Sequence, residues 1–298
     1  MKTDYRDLLK PDILNSIKGL ELIAKVIVDG YLSGLNHSTR VGSGMEFSQY
    51  RSYEPGDDLR LLDWKMLARS DRYYIKQSEI DTNISVKFII DASKSMLHEE
   101  DGLTKMDFVR VLVASLAYLA QHQGDAIGLF ALNDADFYSV YPRVEKQHFN
   151  RFLHQLVAIN NKGKWPNDPT TTEKLHDRKH KELIVVVSDM YEHNQELTSF
   201  VERLKTKRNE VVVFHIMAPN EKTLDYQGSY TFEDLETGEQ MKLDANDVRK
   251  NYIDRFEKHL SHLKSTMFEQ GVGYQQFFTN EHIGEALQWF VQKRKLLV

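Results

Sequence analysis

The sequence has 298 residues, of which 41% are hydrophobic and 28% charged; this composition excludes extended disorder and leaves room for one large domain with an appendage. Its 39 basic and 44 acidic residues give a net charge of −5, which excludes a global positive field for unspecific nucleic-acid binding. The absence of cysteine excludes disulfides, thiolate metal sites and cysteine nucleophiles, and it fits a reducing compartment.

The N-terminal residues predict a soluble, cytoplasmic protein that begins with an amphipathic helix. Residues 1–14 are polar and acidic where an export signal would be basic and then apolar. No stretch reaches the roughly 18 uncharged residues that a membrane span needs, so we expect no stable membrane insertion. Apolar residues recur at three- and four-residue steps from Asp12 to Leu32, which predicts a helix, and Gly34 is expected to end it.

The segment from Asn36 to Asn83 has weak periodicity and interleaves charged with aromatic residues. Segments of this length without clear secondary structure tend to be functional. We expect residues 1–83 to form a helix-plus-extended part that packs on the main domain. Acids are as frequent as arginines here, which favours a buried polar network made by Arg51, Arg60 and Arg69 with Glu54, Asp57 and Asp63. A nucleic-acid surface is the alternative interpretation, and we expect no nucleic-acid partner.

From residue 84 onward, short β-branched runs alternate with helical stretches, which is typical of a parallel sheet with crossover helices. The predicted strands are Ile84 to Ile90, Ala126 to Leu132, Phe137 to Tyr141, Leu183 to Val187, Val211 to Met217 and Gly273 to Phe278. The predicted helices are Lys105 to His122, Lys146 to Ile159, Gln195 to Lys207, Ala245 to Glu269 and His282 to Lys295. We therefore expect residues 84–298 to form an α/β domain with a doubly wound, mostly parallel sheet. Alternation around a Glu-Thr-Gly turn predicts a hairpin insertion at about residues 228–244.

Two acidic strand ends carry the strongest chemical signal. An apolar strand ends in Asp91, followed by hydroxyls at alternate positions, Ser93 and Ser95; a second apolar strand leads to Asp189. In open α/β sheets, ligands bind outside the carboxyl ends of the strands, where the strand order reverses. Hydroxyl and carboxylate oxygens suit Mg²⁺, with Mn²⁺ or Ca²⁺ as other possibilities. In the alternative interpretation, the serines cap the next helix and Asp91 is a solvated strand end.

Two enzymatic interpretations of the same residues are excluded because the residues that those enzymes require are absent. A haloacid-dehalogenase-type phosphatase needs a second aspartate two residues after the first, where this chain has Ser93, and no P-loop run is present. His176 and His180 stand in a charged stretch that is typical of a solvated helix face. We therefore expect a protein that is not an enzyme; a metal-dependent hydrolase, a phosphatase or nuclease using the same carboxylates, is the alternative.

The sequence resembles the bacterial domain of unknown function 58 family over nearly its whole length. The resemblance is carried by a composite motif of Gly44, Phe47, Arg51, Tyr53, Gly56, Asp57, Arg60, Asp63, Trp64, Ala68, Arg69 and Glu79, followed by Asp91, Ser93, Ser95 and Met96. The stretch Asp234 to Glu239 before a long helix also looks like the family.

This resemblance implies a von Willebrand factor A-like domain with a metal-ion-dependent adhesion site. Ser93 and Ser95 would bind Mg²⁺ directly, while Asp91 and Asp189 would act largely through water. A threonine of the loop at residues 168–173 would complete the set; Thr170, Thr171 and Thr172 are candidates, and Thr172 is included in the predicted ligands. Family members are typically encoded beside a MoxR-type AAA+ ATPase. The implied role is a chaperone-like adaptor between that ATPase and a client protein that presents a carboxylate to the metal.

Overall fold

The computed structural model describes residues 9–38, 49–53, 66, 67, 69, 72–77, 84–167, 175 and 181–297. The chain divides into two compact units, the larger formed by residues 1–31 together with 83–298 and the smaller by residues 32–82. The domain boundary expected after residue 83 stays a prediction.

The N-terminal helical region begins with a short helix α1 (Pro11–Leu14) and continues with α2 (Ile17–Ser38). Leu20, Ile23 and Ala24 are fully buried in the core of the larger unit, as the apolar spacing predicts. The expected end at Gly34 is wrong, because α2 continues to Ser38. A glycine inside a helix costs only about 1 kcal/mol relative to alanine, so it does not by itself end a helix.

The smaller unit contains an antiparallel pair of strands, β1 (Gln49–Ser52) and β2 (Tyr74–Gln77), with Arg51 opposite Ile75. Next to this pair, the rings of Tyr53 and Tyr73 lie 6.1 Å apart. These strands are absent from the sequence prediction because they are only four residues long and their hydrophobic alternation is weak.

The larger unit alternates strands with helices after residue 84. In chain order its elements are β3 (Ser85–Asp91), β4 (Glu99–Glu100), β5 (Leu103–Thr104), α3 (Lys105–His122), β6 (Ala126–Leu132), β7 (Phe137–Arg143), α4 (His148–Val157), β8 (Glu182–Ser188), α5 (Glu196–Leu204), β9 (Asn209–Met217), α6 (Pro219–Thr223), β10 (Ser229–Glu233), β11 (Gln240–Asp244), α7 (Ala245–Glu269), β12 (Gly273–Phe278) and α8 (Gly284–Lys295).

The central sheet has six strands in the order β12-β9-β8-β3-β6-β7. All neighbours are parallel except β6 and β7, which are antiparallel. Counted in chain order within this sheet, the strands follow the doubly wound order 3-2-1-4-5-6. The predicted fold class is therefore confirmed, and the strand order reverses between β3 and β8.

The two central strands, β3 and β8, are buried along their whole length. A parallel strand covered by helices on both faces needs apolar residues at successive positions, and residues 88–90 of β3 and 183–187 of β8 form such runs. Phe88 and Ile90 pack into the core on one face of the sheet, and Ile89 packs into the core on the other. This burial holds the strand ends rigidly at the place where their order reverses.

The predicted hairpin insertion is confirmed by β10 and β11, which pair with Glu233 opposite Gln240. Gly238 in the connecting turn has a φ of 74°, a conformation that glycine adopts without steric cost. No helix within the described ranges is both long enough and apolar enough to traverse a bilayer.

Candidate functional site

The two acidic strand ends meet at the reversal of strand order. Asp91 ends β3, Asp189 directly follows β8, and the two strands are parallel neighbours with Ile90 opposite Val187. Asp91 is only 1% exposed and Asp189 only 8% exposed. The structure thus brings together the two carboxylates that the sequence placed on separate strands.

The loop after β3 folds its side chains onto one another. The backbone N–H of Ser93 donates to Asp91 Oδ1 at 2.9 Å, and the hydroxyl oxygens of Ser93 and Ser95 lie 2.8 Å apart. The Ser188 hydroxyl donates to Asp91 Oδ2 at 2.7 Å, which links the ends of β3 and β8. These hydrogen bonds bring Asp91, Ser93 and Ser95 next to one another; that they bind a metal stays a prediction.

The structure contradicts the alternative interpretation of this motif as a helix cap. Ser93 precedes a 3₁₀ turn at Lys94–Leu97 and its side chain makes no capping hydrogen bond. The following long helix α3 is capped instead by Thr104, whose hydroxyl accepts from the backbone N–H of Asp107 at 3.0 Å. Asp91 is buried rather than solvated. Helix capping and solvation therefore do not explain why the acid and the two serines stand at these positions.

A buried lysine neutralises one of the two acids. Lys105 Nζ donates to Asp189 Oδ2 at 2.6 Å and to Glu221 Oε1 at 2.9 Å. Burial alone would lower the pKa of Lys105, but these two carboxylates raise it to about 12. Burial alone would raise the pKa of Asp189, but the charge and hydrogen bond of Lys105 leave it below its ordinary value. Asp189 is thus ionised and fixed in position.

Asp91 has no cationic partner among the described residues. Burial, together with the negative charge of Asp189, raises the pKa of Asp91 to about 6 despite hydrogen bonds from Ser188 and Ser93. Burial likewise raises the pKa of Glu236 to about 7; the hydroxyls of Ser95 and Ser93 oppose this rise, and the charges of Asp91 and Asp189 add to it. Burial thus destabilises the ionised form of both carboxyl groups, which a nearby cation would stabilise.

A cavity of about 480 Å³ adjoins these residues. It is lined by Ser95 and Asp189 next to the strand ends and by Lys105 at the start of α3. Asp234 of the hairpin turn and Tyr252 and Phe256 of α7 also line it. The Tyr191 hydroxyl donates to Asp234 Oδ2 at 2.7 Å and joins the loop after β8 to the hairpin. The site therefore borders a cavity that lies between the strand ends, the hairpin turn and α7.

The donor set fits a hard divalent cation. Adjacent ligands of an octahedral Mg²⁺ at about 2.1 Å lie about 3.0 Å from each other, which is close to the separation of the two serine hydroxyls. Within the described part of the chain, no group of three or more His, Cys, Asp and Glu side chains is arranged to hold a metal. A centre here would accordingly depend on serine oxygens as much as on carboxylates.

Comparison with known proteins identifies the family. Residues 49–262 match the family described as "Protein of unknown function DUF58". The chain belongs to the DUF58 family. A relative in Mycobacterium tuberculosis, the uncharacterised protein Rv1480, is 24% identical over 235 residues, covering 78% of this chain and 74% of the relative. The uncharacterised protein Mb1516 of Mycobacterium bovis matches to the same extent.

Several solved structures resemble this DUF58 chain distantly. They include BatB from Bacteroides thetaiotaomicron, with 13% identity and a TM-score of 0.46 over 72% of this chain and all of BatB. An aerotolerance-related membrane protein from Bacteroides fragilis has 14% identity and a TM-score of 0.48 over the same shares. The SpRpn10 VWA domain has 14% identity and a TM-score of 0.40, covering 69% of this chain and 95% of that domain. Sequence identities and TM-scores this low support no inference about function.

The DUF58 signature residues lie mostly outside the described residues, as do Thr170, Thr171 and Thr172. Gly56, Asp57, Arg60, Asp63 and Trp64 belong to this undescribed group. Of the rest, Arg51 is in β1, Tyr53 is half-buried beside Tyr73, and Arg69 is exposed. The proposed arginine–acid network therefore stays a prediction.

Sequence reasoning missed two charged residues of the site, Lys105 and Glu236. Lys105 is the first residue of the predicted helix and looks like an ordinary solvated lysine. Glu236 lies in the hairpin turn, where an acid is common. Neither residue has a local sequence signal, because the contacts of both depend on long-range packing.

Proposed function

We propose that this DUF58 protein is a Mg²⁺-dependent protein-interaction module that acts as adaptor or co-chaperone of a MoxR-type AAA+ ATPase in the assembly or maturation of a client protein. Family membership and the doubly wound α/β fold support the coarser part, a protein-interaction module. The metal part is supported by one observation, the meeting of two acidic strand ends with the paired hydroxyls of Ser93 and Ser95.

In this proposal, Ser93 and Ser95 hold the cation through their hydroxyls, and Asp91 and Asp189 hold it largely through water. Thr172 is the proposed further hydroxyl. Because serine and threonine are neutral, the bound cation would keep much of its charge and attract a carboxylate from a partner. The residues of this chain contribute by orienting the hydroxyls and by keeping the two aspartates fixed.

The hydrogen bonds of the two aspartates favour binding over hydrolysis. Asp91 accepts from Ser93 and Ser188 with its two oxygens, and Asp189 accepts from Lys105 and from the backbone N–H of Tyr191 at 3.1 Å. A carboxylate that serves as nucleophile or general base needs an oxygen free to approach the substrate. We therefore propose that the protein is not an enzyme.

A phosphatase and nuclease screen with Mg²⁺ and Mn²⁺ tests this point. We expect no turnover above that of a metal-only blank. Robust turnover that disappears in Asp91→Asn would establish the hydrolase alternative instead.

The adaptor role is tested by binding of the purified full chain to a purified MoxR-type ATPase from the same organism. We expect binding in Mg²⁺ that is lost in EDTA and in Asp91→Asn. Asp225→Asn is the matched control, because Asp225 has a side chain that is 77% exposed and removal of its charge leaves the site intact. Equal binding in all these conditions would contradict a metal-dependent contact, and no binding in any would contradict the ATPase partner.

A further inference from the structure

The turn of the β10–β11 hairpin is tied to the proposed metal centre. Asp234 accepts the Tyr191 hydroxyl with Oδ2. With Oδ1 it accepts the backbone N–H groups of Glu236 at 2.8 Å and Thr237 at 3.2 Å. Because Tyr191 lies two residues after Asp189, this chain of contacts holds the turn, and with it Glu236, beside the end of β8.

The Glu236 side chain is partly buried, beside the hydroxyls of Ser95 and Ser93. Its Oε1 is buried and has no hydrogen-bond partner of ordinary geometry among the described residues. The groups that act on its charge are the hydroxyls of Ser95 and Ser93 and the carboxylates of Asp91 and Asp189. Glu239, three residues later in the same turn, is exposed.

Near the hydroxyls of Ser93 and Ser95, the carboxylates of Asp91 and Asp189 act on the charge of Glu236. The cation that the described residues place beside them is Lys105, which is already shared by Asp189 and Glu221. A buried carboxylate oxygen without a partner costs free energy unless a proton or a cation neutralises it. A divalent cation between the serine hydroxyls and Glu236 would satisfy this oxygen and the charge of Asp91 together.

We propose that Glu236 is this chain's own carboxylate ligand at the centre, and that it occupies the side from which a partner's acidic residue would approach. This inference rests on the proposed function. A partner's acid would then displace Glu236, and the hairpin turn would move with it. The hairpin is suited to such movement, since most side chains of β10 and β11 are exposed.

Titration of the chelator-treated full chain with Mn²⁺ tests the proposal, with Glu236→Ala as the variant and Glu239→Ala as its control. We expect Glu236→Ala to weaken Mn²⁺ binding about tenfold, because ligand charge sets the affinity of such centres. The water-proton relaxation rate per bound Mn²⁺ should rise, because water replaces the carboxylate. Glu239→Ala should match the wild type in both measurements.

Hydrogen exchange gives a third readout that needs no partner. Mn²⁺ should slow amide exchange in residues 229–244 of the wild type and of Glu239→Ala, but not of Glu236→Ala. Wild-type Mn²⁺ binding with unchanged affinity, relaxation and exchange in Glu236→Ala would overturn this inference and leave the proposed function standing. Absence of Mn²⁺ binding in the wild type would overturn both.

Discussion

Lys105 is the residue on which the charge balance of the site depends. Its side chain is 2% exposed, that of Asp189 is 4% exposed, and their charged atoms are 2.6 Å apart. Removing one partner of a buried ion pair leaves the other charged and desolvated. We expect Lys105→Met to lower the free energy of unfolding by about 3 kcal/mol, measured by urea denaturation in EDTA.

The control for this substitution is Lys162→Met. Lys162 pairs with Asp136 at 2.8 Å, but the two side chains are 45% and 36% exposed. Exposed pairs contribute less than about 1 kcal/mol, so this variant should remain close to the wild type. Equal losses in both variants would show that the buried pair has no special role.

His215 should make stability depend on pH. It is on β9 opposite Ser188, and burial lowers its pKa from 6.5 to about 4. Between these values the unfolded chain binds a proton that the folded chain does not, so this contribution to stability is present above about pH 6.5 and lost as the pH falls towards 4. Its full size is on the order of 3 kcal/mol.

Urea denaturation in EDTA between pH 7.5 and about pH 4 measures this dependence. The His215→Gln variant should lose stability less steeply on acidification than the wild type, whereas His154→Gln, at an exposed position of α4, should follow the wild type. A His215→Gln curve parallel to that of the wild type would refute the assignment.

At the residue scale, the sequence predicts the strand-end residues but not their charged neighbours. Asp91 stands out because it directly follows an apolar run, and Asp189 stands out because only Ser188 separates it from one. Local pattern alone places both at strand ends. Lys105 meets Asp189 across 84 positions, and that contact depends on how α3 packs on the sheet. Long-range packing of this kind leaves no local signal, which is why Lys105 and Glu236 were missed.

At the scale of elements, the start of α3 sets the position of Lys105. The Thr104 hydroxyl donates to Asp107 Oδ2 at 2.7 Å. Thr104, directly before the lysine, and Asp107, two residues after it, form a capping box. Loss of such a cap costs about 1 kcal/mol. Thr104→Ala should lower the free energy of unfolding by this amount in urea denaturation.

Thr266→Ala is the control for the cap. Thr266 is within α7, where its hydroxyl donates to the carbonyl of His262 at 3.0 Å and caps no helix end. Because alanine favours helix interiors, this variant should be as stable as the wild type or more so. A Thr104→Ala protein as stable as Thr266→Ala would show that the capping box is dispensable.

Helix and strand positions were predictable where periodicity is strong. The predicted bounds of α3 and α7 are those of the structure, since both have long apolar stripes and clear N-terminal signals. The end of α2 was missed because glycine is a weak stop signal inside a helix that packs against the core. The two-residue strands β4 and β5 are too short for any periodicity to appear.

At the scale of the whole molecule, alternation of strands and helices predicts a doubly wound sheet but not the direction of every strand. β7 is antiparallel to β6 because the connection at residues 133–136 is too short for the crossover that a parallel neighbour needs. The reversal of strand order between β3 and β8 brings Asp91 and Asp189 together. The site therefore depends on the topology of the sheet, because its side chains come together only in the folded protein.

Calorimetric titration of Mg²⁺ into the chelator-treated full chain tests the central claim most directly, with the Ser93→Ala/Ser95→Ala double variant compared with the wild type. Ser115→Ala, which removes a buried hydroxyl that donates to Val111 within α3, is the control. The proposed centre predicts one bound Mg²⁺ in the wild type and in the control, with affinity at least about tenfold weaker in the double variant. A wild type that binds no Mg²⁺, or a double variant that binds it equally well, would contradict a metal centre at the ends of β3 and β8.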